Sequence, residues 1–238
     1  MTNIVIPAMG KSTFYKDSYF PKHLYEICGK TMLEFVVEDY REIEDSKYLF
    51  VFDEGGCLRF HVDASAHMLA PDSAIIRLAN NTRGALCTSL MAVEYIDNDN
   101  PLIIGNRDQI IDIDYVEVIS YFRRNHFDAG VITFPSVHPR WSYARIAGTE
   151  VVEVAEKRPI SKEAIAGFYY FAQGRDFVLA AKKALMKQNS YEDNYYLSAS
   201  INELILMNKR VGFYHIDAGQ YHSFYSPAKV KEYEEKRK

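Results

Sequence analysis

Pro101-Leu102-Ile103-Ile104-Gly105-Asn106-Arg107-Asp108-Gln109 is the stretch that decides how this chain folds. Leu102, Ile103 and Ile104 form a short apolar run that reads as a strand, and Gly105 ends it. Asp108 follows just past the strand end. Downstream, residues 114–125 read as a helix with Asp114 as its cap, and residues 129–134 as the next strand. Upstream the same alternation runs back to the start. Residues 84–95 and 58–69 read as helices, and 74–78 and 48–52 as strands. Thr31-Met32-Leu33-Glu34 is a capping box that opens a helix running to about Arg41. Residues 3–8 are apolar and β-branched and read as a buried strand. Strands alternating with helices predict an α/β fold of βαβ units, a mixed, mostly parallel central sheet with helices on both faces. Ligands of such sheets sit at the carboxyl ends of the strands. The loops after Ala8, Leu78 and Gly105 should therefore meet at one site.

Past Phe134 the pattern changes. Short strands are expected over 143–147, 151–154 and 167–171, helices over 175–188 and 198–208, and a strand over 211–216. The last segment, 227–238, reads as a charged helix or a frayed tail. There is no repeat, low-complexity segment or Gly/Ser linker, so the expectation is a single domain over 1–238, with halves at about 1–134 and 135–226.

The 238 residues are 48% hydrophobic and 25% charged, enough to bury a core. With 28 Lys plus Arg against 32 Asp plus Glu the net charge is −4, which argues against a general nucleic-acid binder. Cys28, Cys57 and Cys87 stand far apart, which excludes a disulfide scaffold and a cysteine zinc site and fits a reducing cytoplasm. No stretch approaches the roughly 18 apolar residues of a membrane span. The start of the chain lacks the basic n-region of a signal peptide. Eighteen tyrosines and 14 phenylalanines against one tryptophan fit either an aromatic core or a cleft that stacks a planar ring, and composition does not choose.

Gly29-Lys30-Thr31 suggests a phosphate-binding P-loop, but Leu24 stands where that motif needs its first glycine. The dinucleotide fingerprint is also absent after the first strand. What remains is an ordered set of five pieces. The first is residues 4–13, ending Ala8-Met9-Gly10-Lys11-Ser12-Thr13, with Phe20-Pro21-Lys22-His23-Leu24 behind it. Such a loop can place backbone N–H groups around phosphates, and Lys22, held by Pro21 on a loop not expected to be buried, can supply a fixed cation. The second is Thr82-Arg83-Gly84-Ala85 before a helix, where small residues let backbone approach a flat ligand. The third is the opening stretch, with Asp108 just past the strand end, where a metal-bound nucleotide would be held. The fourth is Glu156-Lys157-Arg158-Pro159, followed by Gly167-Phe168-Tyr169-Tyr170-Phe171. The fifth is Asp217, after the last strand.

In this order the pieces resemble the sugar-phosphate nucleotidyltransferases, also called nucleotide-sugar pyrophosphorylases, from Asn3 to about Phe224. The resemblance implies a Rossmann-like GT-A fold, with the nucleotide held by the first half and the acceptor by the second. It implies that Ala8, Met9, Gly10, Ser12 and Thr13 cradle the triphosphate and that Thr82, Gly84, Ala85 and Asn106 hold the rest of the nucleotide. Lys22, Asp108 and Lys11 would be catalytic. Asp108 and Asp217 would bind Mg2+, and Glu156, Lys157 and Gly167 would face the acceptor. The chain departs from the family at Phe14, where the loop usually carries an arginine; Lys11 or Lys16 would then take that role. His23, His215 and His222 show no metal-ligand spacing.

The implied partners are a nucleoside triphosphate and a phosphorylated small molecule, with no nucleic acid and no membrane; a homodimer stays open. The acceptor phosphate is already an anion and needs no general base. Its attack on the α-phosphorus requires charge neutralisation and positioning, worth about 7–11 kcal/mol in the best cases. The short length resembles capsule and surface-polysaccharide enzymes, which use sugar 1-phosphates or non-sugar phosphates such as phosphocholine or phosphoglutamine, with CTP or UTP. Two alternatives stand beside this. A GT-A glycosyltransferase could use the pair Asp112 and Asp114 to bind metal, and the missing loop arginine fits a non-catalytic nucleotide-binding protein.

Overall fold

The structure, a computed structural model, describes residues 1–9 and 18–237. Its elements in order are β1 (Thr2–Pro7), β2 (Glu26–Ile27), β3 (Lys30–Thr31), α1 (Met32–Asp39), β4 (Ser46–Asp53), α2 (Glu54–Phe60), α3 (Val62–Leu69), β5 (Ala74–Leu78), α4 (Ala85–Leu90), α5 (Val93–Ile96), β6 (Leu102–Gly105) and β7 (Gln109–Ile111). Then come α6 (Tyr115–Arg124), β8 (Ala129–Pro135), β9 (Ser142–Ala147), β10 (Glu150–Glu156), β11 (Glu163–Phe171), α7 (Gly174–Met186), α8 (Ser198–Leu206), β12 (Val211–His215), β13 (Tyr221–Ser223) and α9 (Pro227–Lys236).

The expected caps form. The Thr31 hydroxyl accepts from the Glu34 amide at 3.2 Å while the Glu34 carboxylate accepts from the Thr31 amide at 2.6 Å. Asp114 accepts from the Val116 and Glu117 amides at 2.8 and 3.0 Å and so starts α6. Two expected helices are broken. The one over 58–69 divides at His61, whose φ of 53° is left-handed. The one over 84–95 begins one residue late, because Gly84 has φ 101°, and divides after Leu90. The final segment is a docked helix, with Val230 and Tyr233 buried against Ile27, Met32, Ile110 and Phe224.

One nine-stranded sheet runs in the order β5-β4-β1-β6-β11-β8-β12-β10-β9. It is mixed, as expected, but parallel pairing is confined to β5-β4-β1-β6 and β8-β12. The expectation of a mostly parallel sheet is corrected by β11, which enters antiparallel between β6 and β8, and by the antiparallel β10 and β9. Two reversals leave β8 and β12 pointing the same way as β6, so the carboxyl ends of β1, β6, β8 and β12 share one edge.

Strand side chains alternate between two cores. Ile4, Ile6, Phe50, Phe52 and Ile103 face α1, α3 and α6, whereas Val5, Leu49, Val51 and Ile104 face α4, α7 and α8. The aromatic excess is spent largely in the first of these. Tyr48, Phe50 and Phe52 stack along β4 at 5.8 and 5.6 Å, and Phe122 stacks on Tyr170 at 5.5 Å. Among the described residues, no helix is long and apolar enough to cross a membrane.

Candidate active site

The loops after β1, β5 and β6 do meet. A cavity of about 420 Å3 is walled by Pro7 and Met9 from the first, Asn81, Thr82, Gly84 and Ala85 from the second, and Asn106, Arg107 and Asp108 from the third, with Thr88 and Asn194. Ala8 is buried beside it, its amide donating to the Val51 carbonyl at 2.9 Å. Gly10, Lys11, Ser12, Thr13, Phe14 and Lys16 lie outside the described residues.

On the second loop the Thr82 and Thr88 hydroxyls bond at 2.5 Å, and Thr88 also donates to the Gly84 carbonyl at 3.1 Å. The glycine at 84 has a reason that the sequence reading did not foresee. A Cβ there would lie 2.4 Å from the Tyr195 carbonyl oxygen, and φ is +101°. The backbone that approaches Gly84 most closely is the protein's own.

At the third loop, Lys22 Nζ donates to Asp108 Oδ2. Contrary to expectation, Lys22 is buried, at 8% exposure, in a one-turn 3-10 helix with His23 and Leu24. Burial pulls the Lys22 ammonium below the ordinary lysine pKa, Asp108 opposes that, and the neighbouring Arg107 adds to it. Arg107 donates through Nη1 to the Ala8 carbonyl. Burial lowers its pKa also, with the carboxylates of Asp108 and Asp53 acting against burial. His23, packed on Phe52 at 5.4 Å, is pushed down to about 3 by burial and by Arg107. Sequence reasoning missed Arg107 as a site residue; its signal was a cation directly before the strand-end aspartate.

Gln109 was also missed. Its buried amide closes a two-bond bracket on Gly167: Nε2 donates to the Gly167 carbonyl at 2.9 Å and Oε1 accepts from its amide at 3.1 Å. The Asn106 amide donates to the same carbonyl at 2.9 Å. A Cβ on Gly167 would lie 1.9 Å from Asn106 Nδ2. Gly167 sits where β11 changes register against β8, and its bareness lets the Asp108 loop rest on the strand.

Glu156 and Lys157 stand elsewhere. The Ser142 and Ser198 hydroxyls donate to the Glu156 carboxylate, the latter at 2.8 Å. Burial raises the Glu156 pKa against the pull of these serines and Lys157. Glu156 lines a second cavity, of about 540 Å3, with Ser198, Tyr191 and Tyr196. Lys157, left-handed at φ 51°, places Nζ 4.9 and 5.0 Å from the Tyr191 and Tyr196 ring centroids and 3.9 Å from Glu192. Burial disfavours its charge, but Tyr196, Glu192 and Glu156 hold its pKa above the ordinary lysine value. Asn194 walls the first cavity while Tyr191 and Tyr196 wall this one, so the segment before α8 borders both.

Asp217 is exposed at the shared carboxyl edge, its amide donating to Gln220 Oε1 at 3.0 Å. Among the described residues, no group of three or more His, Cys, Asp or Glu side chains stands ready for a metal. Magnesium takes one or two carboxylates and completes its shell with water and substrate phosphates. The hard oxygens of Asp108 on the cavity wall suit such an ion, and Asp217 lies at the same edge. The rival acidic pair is engaged otherwise: Asp114 caps α6, and Asp112 accepts from His222 at 2.9 Å and Arg237 at 3.1 Å. Burial pushes the Cys57 thiol up to about 11 and raises that of Cys87, so neither is an activated nucleophile.

No protein-family model matches the chain. The bifunctional protein GlmU of Alkaliphilus oremlandii is 25% identical over 222 residues, which cover 90% of this chain and 46% of that protein. The solved nucleoside-diphosphate-sugar pyrophosphorylase from Vibrio cholerae RC9 superposes with a TM-score of 0.82 at 22% identity, over 98% of this chain and 99% of that one. This chain resembles the sugar-phosphate nucleotidyltransferases. A UDP-glucose pyrophosphorylase complexed with UDP-glucose superposes with a TM-score of 0.80 at 15% identity, over 100% of this chain and 98% of that one. The fold is thus the Rossmann-like α/β fold of those enzymes. The chain spans about half the length of the curated relatives it matches.

Proposed function

We propose that this protein is a magnesium-dependent nucleotidyltransferase, a single domain that joins CTP or UTP to a phosphorylated small molecule and releases pyrophosphate. The observation that carries the proposal is the cavity at the strand ends, where three loops meet beside the Lys22–Asp108 pair. Thr82, Gly84, Ala85 and Asn106 hold the nucleotide in it. The loop of Gly10, Lys11, Ser12 and Thr13 takes the triphosphate, with Ala8 and Met9 at its base. Lys22 neutralises charge on the reacting phosphates and fixes the Asp108 carboxylate. Asp108, with Asp217, would hold Mg2+ together with phosphate oxygens; the ion supplies charge neutralisation where phosphates crowd. Glu156, Lys157 and Gly167 serve the acceptor side. Lys157, charged and held between two tyrosine rings, offers a cation to the acceptor phosphate.

The structural neighbour complexed with UDP-glucose supports a pyrimidine. The acceptor is a sugar 1-phosphate or a non-sugar phosphate of capsule or surface-polysaccharide synthesis. Incubating the protein with each of four nucleoside triphosphates, Mg2+ and a panel of phosphomonoesters, and measuring pyrophosphate, tests the proposal. Pyrophosphate is expected with CTP or UTP and one acceptor class. Nucleotide binding with no pyrophosphate from any pair would make the protein a binding protein instead.

A further inference from the structure

A further cavity, of about 390 Å3, lies between the end of β8 and the segment after it on one side, and β13 and α9 on the other. It shares no wall residue with the two cavities described above. Three of its wall residues are rings in mutual contact. Phe134 lies against Tyr221 with centroids 4.4 Å apart, and Trp141 stands at 79° to the first and 72° to the second, 5.6 and 5.4 Å away. Phe134 is buried, but Trp141 and Tyr221 are half-buried. The rest of the wall is positive. Arg140, Lys229 and Lys236 stand against one carboxylate, Glu232, so three cations face one anion and two positive charges are in surplus. Both lysines donate to Glu232, at 2.5 and 3.1 Å. Arg140 is fixed beside the rings. His138 Nδ1 accepts from its amide and its Nε, each at 3.2 Å, and its guanidinium lies 5.7 Å from the Trp141 centroid and 4.1 Å from that of Tyr225.

We propose that this cavity is a ligand site for a small molecule that carries a phosphate group on a flat or ring-shaped body. Half-exposed rings hold the body, and the guanidinium and ammonium groups hold the anion. A phosphate monoester carries about −1.5 to −2 charges near neutral pH, which matches the surplus on the wall. The same surplus disfavours a cationic ligand on the rings. The volume falls within the roughly 300–1,000 Å3 of small-molecule sites. The site goes beyond nucleotidyl transfer and does not depend on it. Two bonds nevertheless connect it to the other cavities: the Tyr221 hydroxyl donates to Gln109 Oε1 at 3.3 Å, and the Lys157 amide donates to the Trp141 carbonyl at 3.0 Å. The ligand chemistry is shared by a phosphorylated acceptor and by a separate effector.

Trp141 is the single tryptophan of the chain, so its fluorescence reports on this cavity. The test titrates wild type and Arg140→Gln with phenyl phosphate, and with inorganic phosphate and phenol as its two halves. Thermal melts are recorded alongside. In wild type, phenyl phosphate should give a saturable change and bind at least about tenfold more tightly than either half. Arg140→Gln should bind it about 10- to 100-fold more weakly at an unchanged melting temperature, as expected for loss of a hydrogen bond to a charged group. A salt series on wild type reads the same charge should that variant fail to fold: a roughly tenfold rise in NaCl should weaken phenyl phosphate severalfold. In the pyrophosphate assay, a raised acceptor KM in Arg140→Gln identifies the ligand as the acceptor, and an unchanged one identifies a separate effector. No saturable change with phenyl phosphate, binding no tighter than that of inorganic phosphate, or an affinity indifferent to both Arg140→Gln and salt would each overturn the proposal. Absence of pyrophosphate from every substrate pair would end the proposed function and leave this binding result standing.

Discussion

Asp108→Asn removes the carboxylate that faces both Lys22 and Arg107. The substitution keeps the shape of the side chain and deletes its charge. The Lys22 side chain is 7% exposed and that of Asp108 27%, so the ammonium is left buried beside a guanidinium with its counter-charge gone. Breaking a fully buried ion pair costs about 3–5 kcal/mol. Asp108 keeps part of its side chain in solvent, so the expected loss near neutral pH is about 2–3 kcal/mol. The pH dependence has a definite sign. Burial already holds the Lys22 pKa below its ordinary value, and without Asp108 it falls further. Between the folded and unfolded pKa values the unfolded chain binds a proton that the native one does not, so stability rises with pH. The deficit should shrink as pH rises from neutrality toward the ordinary lysine pKa. Lys22→Met combined with Asp108→Asn should recover most of it, since no buried charge is then unpaired. Urea unfolding of wild type and the two variants over that pH range measures this. A variant as stable as wild type throughout, or a deficit unchanged in the double variant, refutes the buried-pair account of the site.

Three other perturbations follow from the same physics. His23 is held neutral, at about 3, so wild-type stability should fall as pH drops below the ordinary histidine pKa; His23→Leu should flatten that slope, and unfolding midpoints over acid pH would show it. Asp39 goes the other way: burial pushes its carboxyl up to about 8, against the Tyr115 hydroxyl, so its contribution is full below the ordinary carboxylate pKa and lost as pH rises through about 8. Asp39→Asn should remove that alkaline loss, and a variant with the wild-type slope would show that another group titrates. Gly84→Ala places a Cβ 2.4 Å from the Tyr195 oxygen at left-handed φ, and should cost at least about 2 kcal/mol in denaturant unfolding while weakening nucleotide binding. A stability within about 0.5 kcal/mol of wild type would show that the segment bearing Tyr195 yields easily.

The sequence made the alternation of elements legible, because the long strands of the first half are largely apolar runs and some of its helix starts carry a capping side chain. Thr31 and Asp114 are capped as the sequence indicates, and β5 has the expected bounds. What could not be read was set by tertiary contacts. Nothing in the composition of 163–171 says that it inserts antiparallel between β6 and β8, since a strand buried on both faces looks the same in either direction. The break at His61 depends on a left-handed residue that is not glycine. In the site, Asp108 and the three converging loops followed from strand-end logic. The burial of Lys22, the bracket of Gln109 on Gly167 and the tether of Arg107 to Ala8 each join residues more than fifty positions apart. Only the folded chain brings such pairs together.

On the proposed function, Asp108 and the strand-end cavity serve nucleotidyl transfer. The most direct test is pyrophosphate release by wild type and Asp108→Asn, given CTP or UTP, Mg2+ and a panel of sugar 1-phosphates and non-sugar phosphomonoesters. The account predicts magnesium-dependent pyrophosphate from wild type with at least one pair, and loss of most of that turnover in a folded Asp108→Asn. No pyrophosphate from any pair, or an Asp108→Asn variant that turns over normally and still requires magnesium, would contradict it.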